Sequence, residues 1–202
     1  MTVDVPGIPF PLTPVHGGTW HVDADVVRAD ALPRTDIFID PSAAPGEGVR
    51  LDAMRLVGAP GDDVFQLVTR VTVGFADDYD AGVLLVWFDD ARWAKLCFEY
   101  SPDGDPMIVS VVNDGVSDDA NGFVVDGRTV WLRISRMART WAFHASLDGE
   151  RWELVRHFRL DAPGTELLVG LEAQSPSGDG CPVAFDGVRY TPTLLAELRD
   201  GA

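Results

Sequence analysis

The sequence predicts an all-β protein, a two-sheet antiparallel jelly-roll sandwich, on three observations. About a dozen short segments alternate apolar and polar residues with a period of two. Clusters of Gly, Pro and Asp, drawn from 20 glycines and 14 prolines, separate them. Helical periodicity is confined to the last few residues. Two packed sheets are the natural closure for so many short strands, because a sandwich buries one face of each sheet and leaves few exposed edges.

The elements follow in order. Residues 1–18, with Pro6, Pro9, Pro11 and Pro14 ahead of Gly17 and Gly18, are expected to be extended and irregular. Trp20–Val22 and Val26–Ala29 read as short strands. Thr35–Asp40 alternates and stops at Pro41, and Arg50–Val57 and Val64–Phe75 flank the turn Gly58–Asp63. Tyr79–Tyr100 carries two strands and their hairpin. Its second strand sets Trp93, Lys95, Cys97 and Glu99 on one side against Ala94, Leu96, Phe98 and Tyr100 on the other. Met107–Val112, Val130–Ser135 and Thr140–Leu147 follow, and Asp148-Gly149 predicts a hairpin turn into Arg151–Phe158. Leu167–Gln174 and Val183–Tyr190 complete the strands. Residues 193–202 are expected to form a short helical tail that packs Leu194, Leu195 and Leu198.

A chain of 202 residues fits a single domain, 1–202, with a core large enough to need neither disulfide nor metal. The longest apolar run, Ala81–Phe88, is far shorter than the roughly 20 residues of a membrane span. The first residues carry Asp4 and no basic cluster, which points away from a signal peptide and toward the cytoplasm. Cys97 and Cys181 are expected to be free thiols of a reducing compartment. The 32 acidic residues outnumber 16 basic ones, for a net charge of −16. Such a surface repels phosphate backbones and anionic lipid, so neither nucleic acid nor membrane is an expected partner. The four histidines lack metal-ligand spacing and no glycine-rich phosphate loop is present, so no cofactor or metal is assigned. Acid-rich loops such as Asp77-Asp78 and Asp89-Asp90 do not follow the EF-hand pattern.

An ordered set of segments resembles the DUF1349 family of uncharacterised proteins. It comprises Thr35–Pro41, Tyr79-Asp80, Trp87–Asp90, Trp93–Lys95, Glu99-Tyr100, Ser117-Asp118, Trp131–Ser135, Ser146–Trp152 and Ser175-Pro176. The resemblance implies a concanavalin A-like lectin/glucanase fold, whose concave sheet holds carbohydrate in relatives. A family member from yeast is associated with regulation of enolase, which makes a protein–protein regulatory module one alternative function. After Tyr79-Asp80 the family tends to have Gln, where this chain has Ala81.

If the concave sheet is the functional one, alternation nominates Trp93, Lys95 and Glu99 as ligand-binding residues. The same reasoning adds Trp131 and Arg133 from another strand, with His144 and Glu172. Aromatic faces stack on the C–H side of a sugar ring, and charged groups bond its hydroxyls. The expected ligand is a carbohydrate or other small polar molecule. The competing reading of this face is a solvated sheet surface on which Lys95 pairs with Glu99 or Glu172. A glycoside hydrolase is the other alternative, with Glu99 and a second acid such as Glu172 as the carboxyl pair. Glycosidases of this fold carry several acids on one strand, and here Trp93–Glu99 holds one acid with Lys95 between.

Overall fold

The computed structural model describes residues 1–201. It contains sixteen strands: β1 (Thr13–Val15), β2 (Trp20–Asp23), β3 (Val26–Asp30), β4 (Ile37–Ile39), β5 (Val49–Leu51), β6 (Met54–Gly58), β7 (Val64–Val73) and β8 (Ala81–Asp89). The second half holds β9 (Arg92–Tyr100), β10 (Pro106–Asp114), β11 (Ser117–Val124), β12 (Thr129–Met137), β13 (Thr140–Ser146), β14 (Glu153–Arg159), β15 (Leu168–Gln174) and β16 (Pro182–Thr191). No helix among the described residues is long and apolar enough to cross a membrane.

Two seven-stranded antiparallel sheets form the sandwich. The first runs β1-β6-β15-β8-β9-β10-β11, and the second runs β14-β13-β12-β7-β16-β3-β2. Alternation decides what lies between them. Leu84 and Val86 of β8 and Ala94, Leu96 and Phe98 of β9 point inward to meet Leu67 and Val71 of β7 and Leu132 and Ile134 of β12, in one buried cluster. At position 82 of β8 a side chain would collide with Val71 and Val183 of the facing sheet, so glycine there sets how closely the sheets approach.

A third layer covers the outer face of the first sheet. The segment Arg50–Val57, which alternation reads as one strand, is broken at Asp52-Ala53, where both backbone amides donate to the Asp36 carbonyl. Its first part, β5, leaves to pair with β4 as a separate two-stranded ribbon, while β6 joins the first sheet. Ile37 of the ribbon is fully buried against Val83, Leu85, Trp87, Trp93, Cys97, Val109 and Val111. The Ser117 hydroxyl accepts from the Ile39 amide at 2.9 Å, tying the ribbon to β11. The sheet face that reads as solvated is therefore the floor of a second core.

Two strands lie outside the alternation reading. β1 sits within the proline-rich opening, and β11, SDDANGFV, is a polar edge strand with no apolar alternation to mark it. The Asp148-Gly149 turn is longer than a two-residue hairpin: residues 147–152 connect β13 to β14, and Asp148 accepts from the Ser146 hydroxyl and the amides of Glu150 and Arg151. The described residues of the tail, 193–201, fold over the outer face of the second sheet with a single turn, closed by the Gly201 amide on the Glu197 carbonyl at 3.0 Å, and no longer helix; Leu195 is buried and Leu194 exposed.

Candidate functional site

Of the seven nominated residues, four share one face. Trp93, Lys95 and Glu99 on β9 and Glu172 on β15 all belong to the outer face of the first sheet. The other three do not. β12 bonds to β7 and β13, so Trp131, Arg133 and His144 belong to the second sheet and point away from the sandwich on its opposite side. The period of two reports which residues share a face of a strand, and it is silent on which sheet that strand joins. Trp131 packs over Gly149 and Gly187, whose Cα atoms leave room for its ring. Arg133 stacks on Trp152 at 4.2 Å, and the His144 Nε2–H donates to the Leu198 carbonyl of the tail at 2.8 Å. Burial pushes His144 down to a pKa of about 4, with the Leu198 carbonyl opposing. Both cysteines are buried free thiols.

The four residues that share a face are not solvated. Trp93 is fully buried and stacks parallel to Trp87 at 6.4 Å, as a packing residue under the ribbon. Lys95 is 2% exposed. Its ammonium donates to Gln174 Oε1 at 2.8 Å and to Asp36 Oδ1 at 3.3 Å, so its ion-pair partner comes from the ribbon layer and not from Glu99 or Glu172. Burial opposes the charge on Lys95, but Asp36 and Glu172 outweigh it and hold the ammonium above the usual lysine range. Glu172 is wholly buried with neither oxygen hydrogen-bonded. Burial pushes it up to about 7 against the pull of Lys95. A substrate cannot reach it, which removes Glu172 as one half of a glycosidase pair.

Glu99 is different. It opens on a cleft of about 450 Å³ between the ribbon and the sheet, lined also by Asp36, Phe38, Asp40, Arg50, Tyr79, Val111, Asp119 and Gln174. Among the described residues, no group hydrogen-bonds its carboxyl. Burial pushes Glu99 up to about 8; Lys95 opposes this, and Asp119 and Asp36 add to it. Asp119, at the rim on β11, is raised for the same first reason. Asp40 is held low by the hydroxyl and amide of Ser42. Position 81 lies between Gln174 and Glu99 in register, so Ala81 presents only a methyl group at this point of the floor.

Tyr79 forms part of the wall and has φ of 68°, a conformation that costs a bulky side chain about 1 kcal/mol or more. Local bonds hold it there. Its amide donates to the Tyr100 carbonyl at 2.7 Å, and Gln174 Nε2 donates to its carbonyl at 3.2 Å. Next to it the buried Asp80 carboxylate accepts from the amides of Ala76 and Asp77 and from Ser175 Oγ at 2.6 Å, fixing the loop that carries Tyr79. Gln174 thus links a buried cation to the aromatic wall. Asp36, Phe38, Tyr79, Asp119 and Gln174 escape single-strand alternation because they come from four separate segments; their sequence mark is position in or beside Thr35–Pro41, Tyr79-Asp80, Ser117-Asp118 and Ser175-Pro176.

A second cleft of about 530 Å³ lies beside Phe88 and Leu160, with Arg136 and Arg139 in its wall. Its two arginines are paired within the protein: Arg136 with Asp63 at 3.3 Å and Arg139 with Asp161 at 3.7 Å. Among the described residues, no group of three or more His, Cys, Asp or Glu side chains is placed to hold a metal ion.

The family model for DUF1349, a protein of unknown function, matches residues 16–193. No curated protein matches the chain by sequence. A functionally unknown protein from Saccharomyces cerevisiae superposes with a TM-score of 0.80 at 26% identity, over 91% of this chain and 97% of that one. The GH43 BlXynB protein of Bacillus licheniformis gives 0.67 at 15% identity, over 83% of this chain and 33% of its own. A xylan beta-1,4-xylosidase of Bacillus halodurans gives 0.65 at 14%, over 82% and 32%. The chain spans about a third of these two glycosidase chains, and the likeness to them is one of fold.

Proposed function

The chain belongs to the DUF1349 family, and we propose that it binds a small polyhydroxylated ligand, a carbohydrate in class, in the cleft between the β4–β5 ribbon and the first sheet. The observation that carries this reading is Glu99: a largely buried carboxyl that opens on the cleft and has no hydrogen-bond partner among the described residues. Buried polar groups are nearly always satisfied, and the hydroxyls of a bound sugar are a natural complement. Tyr79 and Phe38 supply aromatic faces for the C–H side of a ring, the role first assigned to the tryptophans. Lys95 and Glu172 act from beneath, setting the charge of the floor without touching the ligand. The two buried free thiols agree with a reducing compartment.

A thermal-shift screen against mono- and oligosaccharides tests the reading, since a ligand of the folded state alone raises the melting temperature. A saturable shift that is lost in Glu99→Gln and in Tyr79→Ala, and kept in Trp131→Ala, is expected. A shift that Trp131→Ala abolishes and Glu99→Gln spares would move the site to the other sheet.

A glycoside hydrolase is the second reading, favoured by one observation. Glu99, held protonated near neutrality, shares the cleft with Asp119, as a general acid with a second carboxyl would. Turnover of chromogenic glycosides that disappears in Glu99→Gln is its expected mark; wild-type protein inert on the whole panel counts against it.

A further inference from the structure

Charge in the cleft is unbalanced. Four carboxyl groups, of Asp36, Asp40, Glu99 and Asp119, line it against one lining cation, Arg50. Beneath the floor lie two cations, Lys95 and Arg55, and one more carboxyl, Glu172, with Arg55 beside Glu172 in register. The three cations are already engaged, Lys95 with Asp36 and Gln174, Arg50 with the Arg34 carbonyl, and Arg55 with the Leu51 carbonyl and the Trp87 ring. Arg156, near the β11 edge, pairs with Asp118 at 2.9 Å. Glu99 is therefore faced by Asp36 from the ribbon layer, Asp119 from β11, Glu172 and Gln174 from β15 and Tyr79 from the loop before β8. Its one favourable charge is Lys95 on its own strand. Two aromatic side chains, Phe38 and Tyr79, complete the wall, and aromatic faces attract cations.

Resting on the carbohydrate reading above, we propose that the ligand carries an ammonium group beside its hydroxyls, an amino sugar in class, with the ammonium seated between Glu99 and Asp119 against Tyr79. A cation at this point supplies the charge-assisted bonds that Glu99 lacks. It also favours the ionised form of Glu99, so that binding near neutral pH releases a proton from it. An anionic sugar meets an excess of carboxyl groups and is disfavoured by the same arrangement.

Calorimetric titration of the full chain with D-glucosamine, D-glucose, D-glucose 6-phosphate and ethanolamine tests the proposal, in two buffers of different ionisation enthalpy. Glucosamine is expected to bind about tenfold or more tighter than glucose, with proton release, and glucose 6-phosphate weaker than either. Asp119→Asn, at the exposed rim where folding is not at stake, is expected to narrow the gap between glucosamine and glucose. Equal affinity for glucosamine and glucose, or preference for the phosphate, overturns the ammonium assignment and leaves the carbohydrate reading standing. Binding of ethanolamine with no binding of either neutral or amino sugar supports the charge preference and overturns the carbohydrate reading. Silence from all four probes overturns both.

Discussion

Glu172 offers the sharpest test of the buried floor. Glu172→Gln keeps the shape of the side chain and removes its charge. The carboxyl is wholly buried, accepts no hydrogen bond, and is raised from 4.5 to about 7 in the folded protein. The unfolded chain thus releases its proton near pH 4.5, while the folded chain holds it until about pH 7. Over that window the folded state binds more protons, so this group's contribution to stability falls as pH rises and levels off above the folded value. At about 1.4 kcal/mol per pH unit, the loss across the window is roughly 3 kcal/mol. Relative to wild type, Glu172→Gln is therefore expected to gain about 3 kcal/mol between about pH 4.5 and pH 8, a rise in melting temperature of roughly 6–12 °C for a domain of this size. Urea unfolding of both proteins at several pH values, followed by tryptophan fluorescence, measures the difference directly. Two stability curves that run parallel across the window would show that Glu172 is ionised throughout and that Lys95 and Arg55 satisfy it.

The remaining predictions concern four other positions. His144→Gln is expected to change the acid side of the profile: with a folded value of about 4 against 6.5, His144 contributes stability that is complete above about pH 6.5 and falls by roughly 3 kcal/mol toward pH 4, and this loss disappears in the variant. Because His144 and Glu172 slope in opposite directions between about pH 4.5 and 6.5, the two contributions largely cancel there in wild type, and each variant exposes the slope of the other. Tyr79→Gly relieves a left-handed conformation while stripping the cleft wall, so stability is expected to stay within about 1 kcal/mol of wild type while saccharide affinity falls. Trp93→Ala is expected to cost about 3–5 kcal/mol by opening a cavity in the second core, which chemical denaturation reads. Trp131→Ala, on the opposite sheet, is expected to leave cleft binding unchanged in the same thermal-shift screen.

The sandwich was legible because its inward residues repeat with a period of two and its turns carry the residues that turns require. Ala94, Leu96 and Phe98 point to the facing sheet as their alternation demands. What alternation does not encode is the partner of each strand. Trp131, Arg133 and His144 alternate as cleanly as Trp93, Lys95 and Glu99, yet β12 and β13 pair within the second sheet. Register and sheet membership are set by contacts between residues distant in the chain, such as Leu132 with Thr69, and a local pattern carries no trace of them.

The same limit explains why a buried layer reads as an exposed one. Lys and Glu in alternation are the mark of a solvated sheet face, and here they mark a covered one, because a three-residue strand on each side of a long turn supplies a ribbon that closes over them. The burial of Lys95 is then possible only because Asp36, at the entrance to that ribbon, arrives with the covering layer and meets the charge it buries. One cation satisfied by one carboxylate would have made an inert floor. The outer face instead holds Glu99 and Glu172 as well, and Lys95 cannot compensate all three acids. The excess carboxyl that faces open space is Glu99, and the one sealed away is Glu172. The ribbon that hides most of the polar face thereby leaves a single under-bonded acid at the cleft, which is where a ligand's hydrogen bonds and charge have most to contribute.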